Sequence, residues 1–226
     1  MRGGARLHGR LAAGGPWHGQ FGQDRYLDTR VFRGRRDGVF VEAGAYDGVT
    51  GSNTVFFERV RGWRGLLIEP CADLAAKARL ARAGPVLEVA LAPLAGRGRF
   101  IDVRAGYRMM SGLEDSYSET LLRAVRANAG HEERLIEVPT RPLESVLDEA
   151  GLVRIDLVSL DIEGAEMAVL GQFPFERFDI DAWCIENHTH GPDLPSLMAR
   201  HGYRQAALLG VDEIYVREAT RERRDG

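Results

Sequence analysis

The sequence predicts an α/β domain built on a parallel sheet, and three observations lead to this prediction. Residues 39–43 read Val-Phe-Val-Glu-Ala, an apolar and β-branched run typical of a strand buried on both faces. A glycine-bearing turn follows, and residues 52–54 (Ser-Asn-Thr) then supply N-cap side chains for a helix. Strands and helices go on alternating to residue 90, which is the βαβαβ order of a parallel sheet with right-handed crossovers.

The same periodicities predict the other elements. Strands are expected at 39–43, 65–70, 86–90, 98–103, 135–140, 155–161 and 180–186, with a final hairpin formed by 203–209 and 213–217. Helices are expected at 20–27, 53–61, 73–83, 116–128, 142–150, from 163 onward and at 194–201. In the helix from 163, we expect Met167, Val169 and Leu170 to face the sheet. The excursion from 98 to 138 interrupts the alternation and is expected to form an inserted lid or substrate wall.

Length and composition indicate one globular domain. The 226 residues carry a formal net charge of −3, and no apolar run approaches the about 20 residues that span a bilayer. We expect a disordered leader at 1–19, one domain at 20–217 and a frayed tail at 218–226. Cys71 and Cys184 fit small core residues rather than a disulfide framework, which favours a cytoplasmic protein. The arginines are scattered among carboxylates, so no nucleic-acid footprint is expected.

Four predicted strands end on a carboxylate: Glu42, Glu69, Asp161 and Glu186. In an open α/β sheet these strand ends line one crevice, where ligands bind. A single such carboxylate could simply cap the next helix, but four at one edge favour a site for a cation, a hydroxyl-rich ligand or a metal. Glu69 stands where an acidic side chain accepts hydrogen bonds from ribose hydroxyls.

The turn after the first strand distinguishes between nucleotide ligands. Its spacing, from Glu42 to Gly48, is Glu-x-Gly-x-x-x-Gly and lacks the G-x-G-x-x-G pyrophosphate fingerprint. A carboxylate here would repel a pyrophosphate but could pair with a cation, so S-adenosylmethionine fits best. Two alternatives stay open: an NAD-dependent oxidoreductase, and a non-catalytic Rossmann-like binding domain.

Longer motifs add a family resemblance. They are Gly-Gln-Asp at 22–24, Phe-Val-Glu-Ala-Gly-Ala-Tyr-Asp-Gly at 40–48 with Ser-Asn-Thr at 52–54, Gly-Trp-Arg-Gly-Leu-Leu-Ile-Glu-Pro at 62–70, and Ile-Asp-Leu-Val-Ser-Leu-Asp-Ile-Glu-Gly-Ala-Glu at 155–166. Over roughly residues 20 to 217 the chain resembles the FkbM-type family of S-adenosylmethionine-dependent methyltransferases. The resemblance implies a single-domain, seven-stranded Rossmann-like class I methyltransferase fold with strand order 3-2-1-4-5-7-6.

The resemblance also implies a reaction and a cofactor site. The reaction is O-methylation of a hydroxyl on a small molecule or sugar, in a bacterial glycan or natural-product pathway. Glu42, Gly44 and Asp47 would border the methionine part, Glu69 the ribose, and the segment 88–90 the adenine. The complete set expected to bind the cofactor is Glu42, Gly44, Asp47, Gly48, Asn53, Glu69, Pro70, Glu88, Ala90 and Asp161.

Methyl transfer to an alcohol also needs a base. Asp161 is the first candidate because it leaves a strand beside the crevice, and His188 and His190 are alternatives that titrate near neutral pH. Either histidine could equally well be a loop residue that caps the next helix. Asp161, Glu186 and His188 could together hold Mg²⁺ as a second cofactor. The expected partners are the acceptor molecule and, as an option, a second copy of the chain.

Overall fold

The computed structural model describes residues 15–218, which form eleven strands and seven α-helices. The strands are β1 (Val39–Ala43), β2 (Arg64–Ile68), β3 (Val86–Leu87), β4 (Ala90–Leu91), β5 (Gly96–Ala105), β6 (Gly112–Leu113), β7 (Glu132–Arg141), β8 (Arg154–Leu160), β9 (Asp179–Glu186), β10 (Tyr203–Leu209) and β11 (Asp212–Arg217). The helices are α1 (Gln23–Tyr26), α2 (Val55–Arg61), α3 (Ala72–Ala81), α4 (Glu119–Arg126), α5 (Leu143–Glu149), α6 (Glu166–Leu170) and α7 (Asp193–Arg200). The α/β class predicted from the sequence is confirmed.

Seven strands form the main sheet, in the order β10-β11-β9-β8-β1-β2-β3. Counted within this sheet alone and read from the β3 edge, the order is 3-2-1-4-5-7-6. The pairs β1–β2, β1–β8, β2–β3 and β8–β9 are parallel, whereas β11 lies antiparallel to β9 and to β10. The carboxyl ends of β1, β2, β8 and β9 therefore meet at one edge of the sheet.

Apolar side chains cover both faces of the main sheet. The strand β1 shows why, because successive side chains point to opposite faces: Val41 packs in one core cluster and Phe40 in the other. Trp183 of β9 is completely buried in the first cluster. Burial on both faces explains the continuous apolar runs that predicted these strands.

A second, four-stranded sheet with the order β4-β7-β5-β6 contains most of the excursion. Its centre is the long antiparallel pair β5–β7, which runs from Gly96 opposite Thr140 to Ala105 opposite Glu132. The prediction of a single strand at 86–90 is wrong. Residues 86–87 pair with β2 in the main sheet, whereas residues 90–91 pair with β7 in the second sheet, so the chain changes sheets between them.

The helix after β8 begins later than predicted. It starts at Glu166 rather than Glu163, because Glu163 (φ 55°) and Gly164 (φ 102°) adopt left-handed backbone conformations that cannot continue a right-handed helix. Val169 and Leu170 are buried as predicted, but Met167 is 40% exposed and does not face the sheet.

The segment before α1 is packed against the domain. The Trp17 ring lies 3.8 Å from the Phe56 ring, and Gly19 forms a β-bridge with Gly51. Asp24 fixes this segment by accepting hydrogen bonds from the backbone N–H groups of His18 and Gly19. The disorder predicted for the leader at 1–19 is therefore wrong for residues 17–19, which are packed against the domain. Residues 1–14 lie outside the described part of the chain.

Two further expectations concern composition. Cys71 and Cys184 are buried and free, as expected for small core residues. None of the helices between residues 15 and 218 is long and apolar enough to cross a membrane. Of the tail predicted at 218–226, only residue 218 is described.

Candidate active site

A cavity lies at the carboxyl edge of the main sheet, between that edge and the second sheet. It contains about 610 Å³ of space free of protein atoms, some of it open to solvent. Gly44, Glu69 and Asp161 line it from the strand ends, and Phe100 and Leu113 line it from the second sheet. The excursion therefore supplies one wall of the cavity.

Gly44 follows β1 and lies against the backbone of Asp161, which follows β8. Its φ is 79°, and a Cβ atom placed on it would lie 1.7 Å from the backbone oxygen of Asp161. Its N–H donates to the backbone oxygen of Ile68 (3.0 Å), and the Asp161 N–H donates to that of Ala43 (3.1 Å). Only glycine fits here, because the position needs both a positive φ and the missing side chain.

Glu69 is buried at the end of β2 and lines the cavity. Its Oε2 accepts a hydrogen bond from the Tyr46 N–H (2.9 Å) and its Oε1 accepts one from the Cys71 N–H (2.8 Å). Burial raises the pKa of Glu69 to about 7, although these two hydrogen bonds act in the opposite direction. Each oxygen keeps a further lone pair that can accept from a ligand.

Glu42 is occupied by the protein itself. Its Oε1 accepts from the Asn53 N–H (2.9 Å), and its Oε2 accepts from the hydroxyls of Ser52 (2.9 Å) and Thr54 (2.6 Å). The buried guanidinium of Arg82 lies 3.1 Å from the same Oε2. The oxygens of Glu42 thus hold the turn in place, and its side chain borders a smaller neighbouring cavity. Its predicted contact with the cofactor stays a prediction.

Three further residues of the predicted cofactor set do not line the main cavity. Asp47 accepts from the Val49 and Thr50 N–H groups and so stabilises its own turn. Gly48 (φ 82°) lies against α3. Glu88 forms an exposed ion pair with an arginine of α3. These three residues therefore contact other parts of the protein rather than the main cavity.

The remaining predicted residues do border the cavities. Pro70 and Ala90 line the main cavity beside Glu69. Asn53 lines the smaller cavity, where its Nδ2 donates to the Ser159 hydroxyl (3.1 Å). Asp161 borders both cavities and so stands between them.

Asp161 belongs to a group of carboxylates. Burial raises its pKa well above the usual value, and the neighbouring charges of Glu186, Asp212 and Glu166 raise it further. Burial is also the main cause that raises the pKa of Asp212 to about 6. A crowded set of buried carboxylates retains protons and favours a positively charged ligand, because charged carboxylates that lie close together repel one another.

His188 lies beside this group of carboxylates. Its neighbours, however, are Glu163 and Glu186 rather than the pair of Asp161 and Glu186 that was expected to bind a metal with it. Its Nε2 is 3.0 Å from Glu186 Oε1 and 3.4 Å from Glu163 Oε2. These three side chains have potential ligand atoms within 4.8 Å of one another, and Asp161 is not in that set. The expected metal trio is therefore corrected to Glu163, Glu186 and His188. Its imidazole gives no support to Mg²⁺, which prefers oxygen ligands.

The two histidines differ in their surroundings. Burial lowers the pKa of His188, but hydrogen bonds to Glu163 and Glu186 outweigh that effect and raise it to about 11. Because its Nε2 lies between two carboxylates, His188 is less suited than Asp161 to take a proton from an acceptor. His190 is exposed in the same loop, with φ 48°.

The family assignment rests on the whole domain rather than on single residues. A family profile described as the Methyltransferase FkbM domain matches residues 42–205. The chain belongs to the FkbM methyltransferase family. The match begins at the Glu42 turn and ends in β10, so it includes both strand ends that frame the cavity and the entire second sheet.

Solved structures similar to this FkbM domain are distant. The crystal structure of the methyltransferase FkbM from Methylobacillus flagellatus KT is 15% identical with a TM-score of 0.48, and the match covers 84% of this chain and 47% of that one. The chain thus spans about half the length of that protein. A TehB-like SAM-dependent methyltransferase from Corynebacterium glutamicum ATCC 13032 Kitasato is 11% identical with a TM-score of 0.44, and the match covers 88% of each chain. No curated protein matches the sequence significantly.

Several residues of this FkbM domain site were not singled out from the sequence as site residues. Glu163 lines the cavity, and its place two residues after Asp161 was an available signal. Arg108 also lines the cavity and pairs with Asp73 of α3, but it belongs to the excursion, where no pattern marks it. Asp212 joins the carboxylates only because β11 pairs with β9, which a local pattern does not reveal.

Proposed function

We propose that the chain is an S-adenosylmethionine-dependent O-methyltransferase that acts on a hydroxyl of a small molecule or sugar. Family membership supports methyl transfer, and the proposal concerns the cofactor and the acceptor. The observation that carries it is one cavity in which Glu69 and Asp161 lie on either side of Gly44. An acidic residue at the second strand end and crowded carboxylates at the fourth suit a cationic ribonucleoside.

The residues present fit this cofactor. Glu69 offers carboxyl lone pairs to ribose hydroxyls, and Leu74, Val89 and Leu91 provide an apolar surface for a flat base. When bound, S-adenosylmethionine supplies a methyl group carried on a sulfonium. A positive charge beside Asp161 would lower the pKa of that carboxyl and so oppose the effect of burial.

The carboxylates account for the acceptor chemistry. Asp161 is our candidate for the base, because it borders the cavity and its raised pKa makes its ionised form a stronger proton acceptor. Its neighbour Glu186 lies close enough for its charge to raise the pKa of Asp161, so the two carboxyl groups can share one proton. A base of this kind is needed for an alcohol acceptor, which supports O-methylation.

The proposal also includes the location of the protein, its pathway and its partners. We place the protein in the cytoplasm, in a bacterial glycan or natural-product pathway, with the acceptor as its partner and with no nucleic acid. The apolar part of the cavity wall that comes from β5 and β6 would contact the acceptor or the cofactor base. These points rest on the family resemblance and on the position of the second sheet.

Calorimetry tests the cofactor directly. Purified protein is titrated separately with S-adenosylmethionine, S-adenosylhomocysteine and NAD, and we expect heat of binding with both sulfur ligands but not with NAD. Binding of NAD alone would indicate an oxidoreductase, and binding of neither sulfur ligand would refute the proposal.

Two variants separate binding from chemistry. Glu69→Ala should weaken binding of S-adenosylhomocysteine, whereas Asp161→Ala should retain that binding and slow transfer, by roughly 10²–10⁴-fold if it is the base. Glu88→Ala is the matched control, because Glu88 also follows a strand but pairs outside the cavity. Equal loss of binding in the Glu69 and Asp161 variants would contradict the assigned roles.

A further inference from the structure

The trio of Glu163, Glu186 and His188 combines three separate parts of the chain at the cavity wall. Glu163 lies in the left-handed turn after β8, Glu186 ends β9, and His188 lies two residues further on. The imidazole Nε2 faces both carboxylates, at 3.0 Å and 3.4 Å. The two glutamates are buried, and His188 is partly exposed. The trio therefore brings three possible ligand atoms within 4.8 Å of one another, one of them on a partly exposed side chain.

Two polar atoms next to the trio lack partners. Glu186 is 7% exposed, yet its Oε2 makes no hydrogen bond with any residue between 15 and 218. The Tyr117 hydroxyl is likewise buried without a hydrogen-bond partner in that range. A Cβ atom placed on Gly112 would lie 3.0 Å from both the Tyr117 ring and the Glu163 side chain, so Tyr117 lies next to Glu163. Buried polar groups are normally satisfied, so an unpaired carboxylate oxygen beside a donor set indicates a missing partner.

The ligand atoms of these three side chains limit which kind of ion could bind between them. Two carboxylate oxygens and one imidazole nitrogen are ligands that suit divalent first-row transition metals, whereas Mg²⁺ and Ca²⁺ prefer oxygen alone. The local charge also favours a cation, because Asp161 and Glu166 add two further carboxyl groups around the trio. A divalent ion would offset more negative charge than the single proton that His188 can hold.

We propose that Glu163, Glu186 and His188 bind a divalent transition-metal ion, with Mn²⁺ as the representative probe. Glu163 lines the main cavity, so a bound ion would be accessible from it. If the proposed function is right, the ion would bind the acceptor hydroxyl and lower its pKa, which assists the base. This role rests on the proposed function, but metal binding by the trio does not.

The test uses the whole chain after treatment with a chelator. Mn²⁺ is titrated into the protein and followed by electron paramagnetic resonance, and pulsed measurements detect coupling to an imidazole nitrogen. We expect one ion per chain with that coupling. Glu163→Gln should weaken Mn²⁺ binding roughly 10-fold or more, and His188→Gln should in addition remove the nitrogen coupling.

A second histidine–glutamate pair provides the matched control. His131 Nε2 lies 2.8 Å from Glu133 in the second sheet, with no third ligand grouped with them among the described residues. Glu133→Gln should therefore leave Mn²⁺ binding unchanged. If the Glu163 or His188 variant fails to fold, Glu186→Gln replaces it and should weaken Mn²⁺ binding in the same way, because Glu186 belongs to the same trio.

Two results would overturn the proposal. One is the absence of bound Mn²⁺, or of nitrogen coupling, in the wild-type protein. The other is binding that Glu163→Gln and His188→Gln leave unchanged, since the ion would then be elsewhere. Calorimetry with S-adenosylmethionine on the same metal-free protein tests the proposed function separately from the metal site. Cofactor binding without metal binding refutes only the metal site, and metal binding without cofactor binding refutes only the proposed function.

Discussion

Replacing Gly44 by alanine should disrupt the contact between the ends of β1 and β8. The new methyl group would meet the backbone oxygen of Asp161 at 1.7 Å, and that oxygen would have to retreat to at least 3.0 Å. This movement strains the two backbone hydrogen bonds at the junction, from Gly44 to Ile68 and from Asp161 to Ala43. Each such bond contributes about 0.5–1.5 kcal/mol, so the close contact alone should cost about 1–3 kcal/mol.

Gly202 provides the control, because it has the same φ of 79° but, within residues 15–218, no neighbouring atom within 4 Å of its hypothetical Cβ. Gly202→Ala therefore carries only the cost of a positive φ, about 1–2 kcal/mol, and Gly44→Ala carries that cost and the cost of the contact. Urea denaturation measures both variants. A free energy of unfolding that falls equally in the two would refute the argument, since the close approach would then have no measurable cost.

Three further predictions concern buried charge and packing. Glu69 has a pKa near 7 in the folded protein against a reference of 4.5, so it favours folding below pH 4.5 and that contribution is lost as the pH rises towards 7. Relative to Glu69→Gln, the wild type should lose up to about 3 kcal/mol of stability across this window, and parallel pH profiles in urea denaturation would contradict this. Arg82→Met should lower the free energy of unfolding by about 3–5 kcal/mol, because Glu42 and Glu58 lose their buried partner; a loss below about 1 kcal/mol would count against it. Trp17→Ala should lower the melting temperature through a loss of about 1–2 kcal/mol, and an unchanged thermal scan would show that this segment does not stabilise the domain.

Strand ends were predictable from the sequence because their signal is local. The runs that end near Glu69 and Asp161 are largely apolar, as is typical of buried parallel strands, and their acidic ends are visible in the sequence. The alternation of strands and helices then placed these ends at one edge. The cavity between Glu69 and Asp161 follows from that arrangement.

The hydrogen-bond and ion-pair partners of each carboxylate were not predictable from the sequence. Glu42 looked like a ligand residue, but its Oε2 is held by Arg82, which lies 40 residues further along the chain. Glu163 looked like the first residue of a helix, yet its positive φ turns it towards His188. Both outcomes depend on long-range contacts that no periodicity records, and the same holds for the change of sheet between Leu87 and Ala90.

That change of sheet has a consequence for how such proteins diversify. Only Ala90 and Leu91 of β4 pair with β7, through partners at its last two residues, Thr140 and Arg141. This two-residue pairing is a short seam. It joins β4, which follows the point where the chain leaves the main sheet, to the hairpin between residues 96 and 141. Hairpins of other lengths could be exchanged at this seam while the Glu69 end of the cavity stays intact. The wall that the second sheet contributes to the cavity can in this way change without a change in the strand end that carries Glu69.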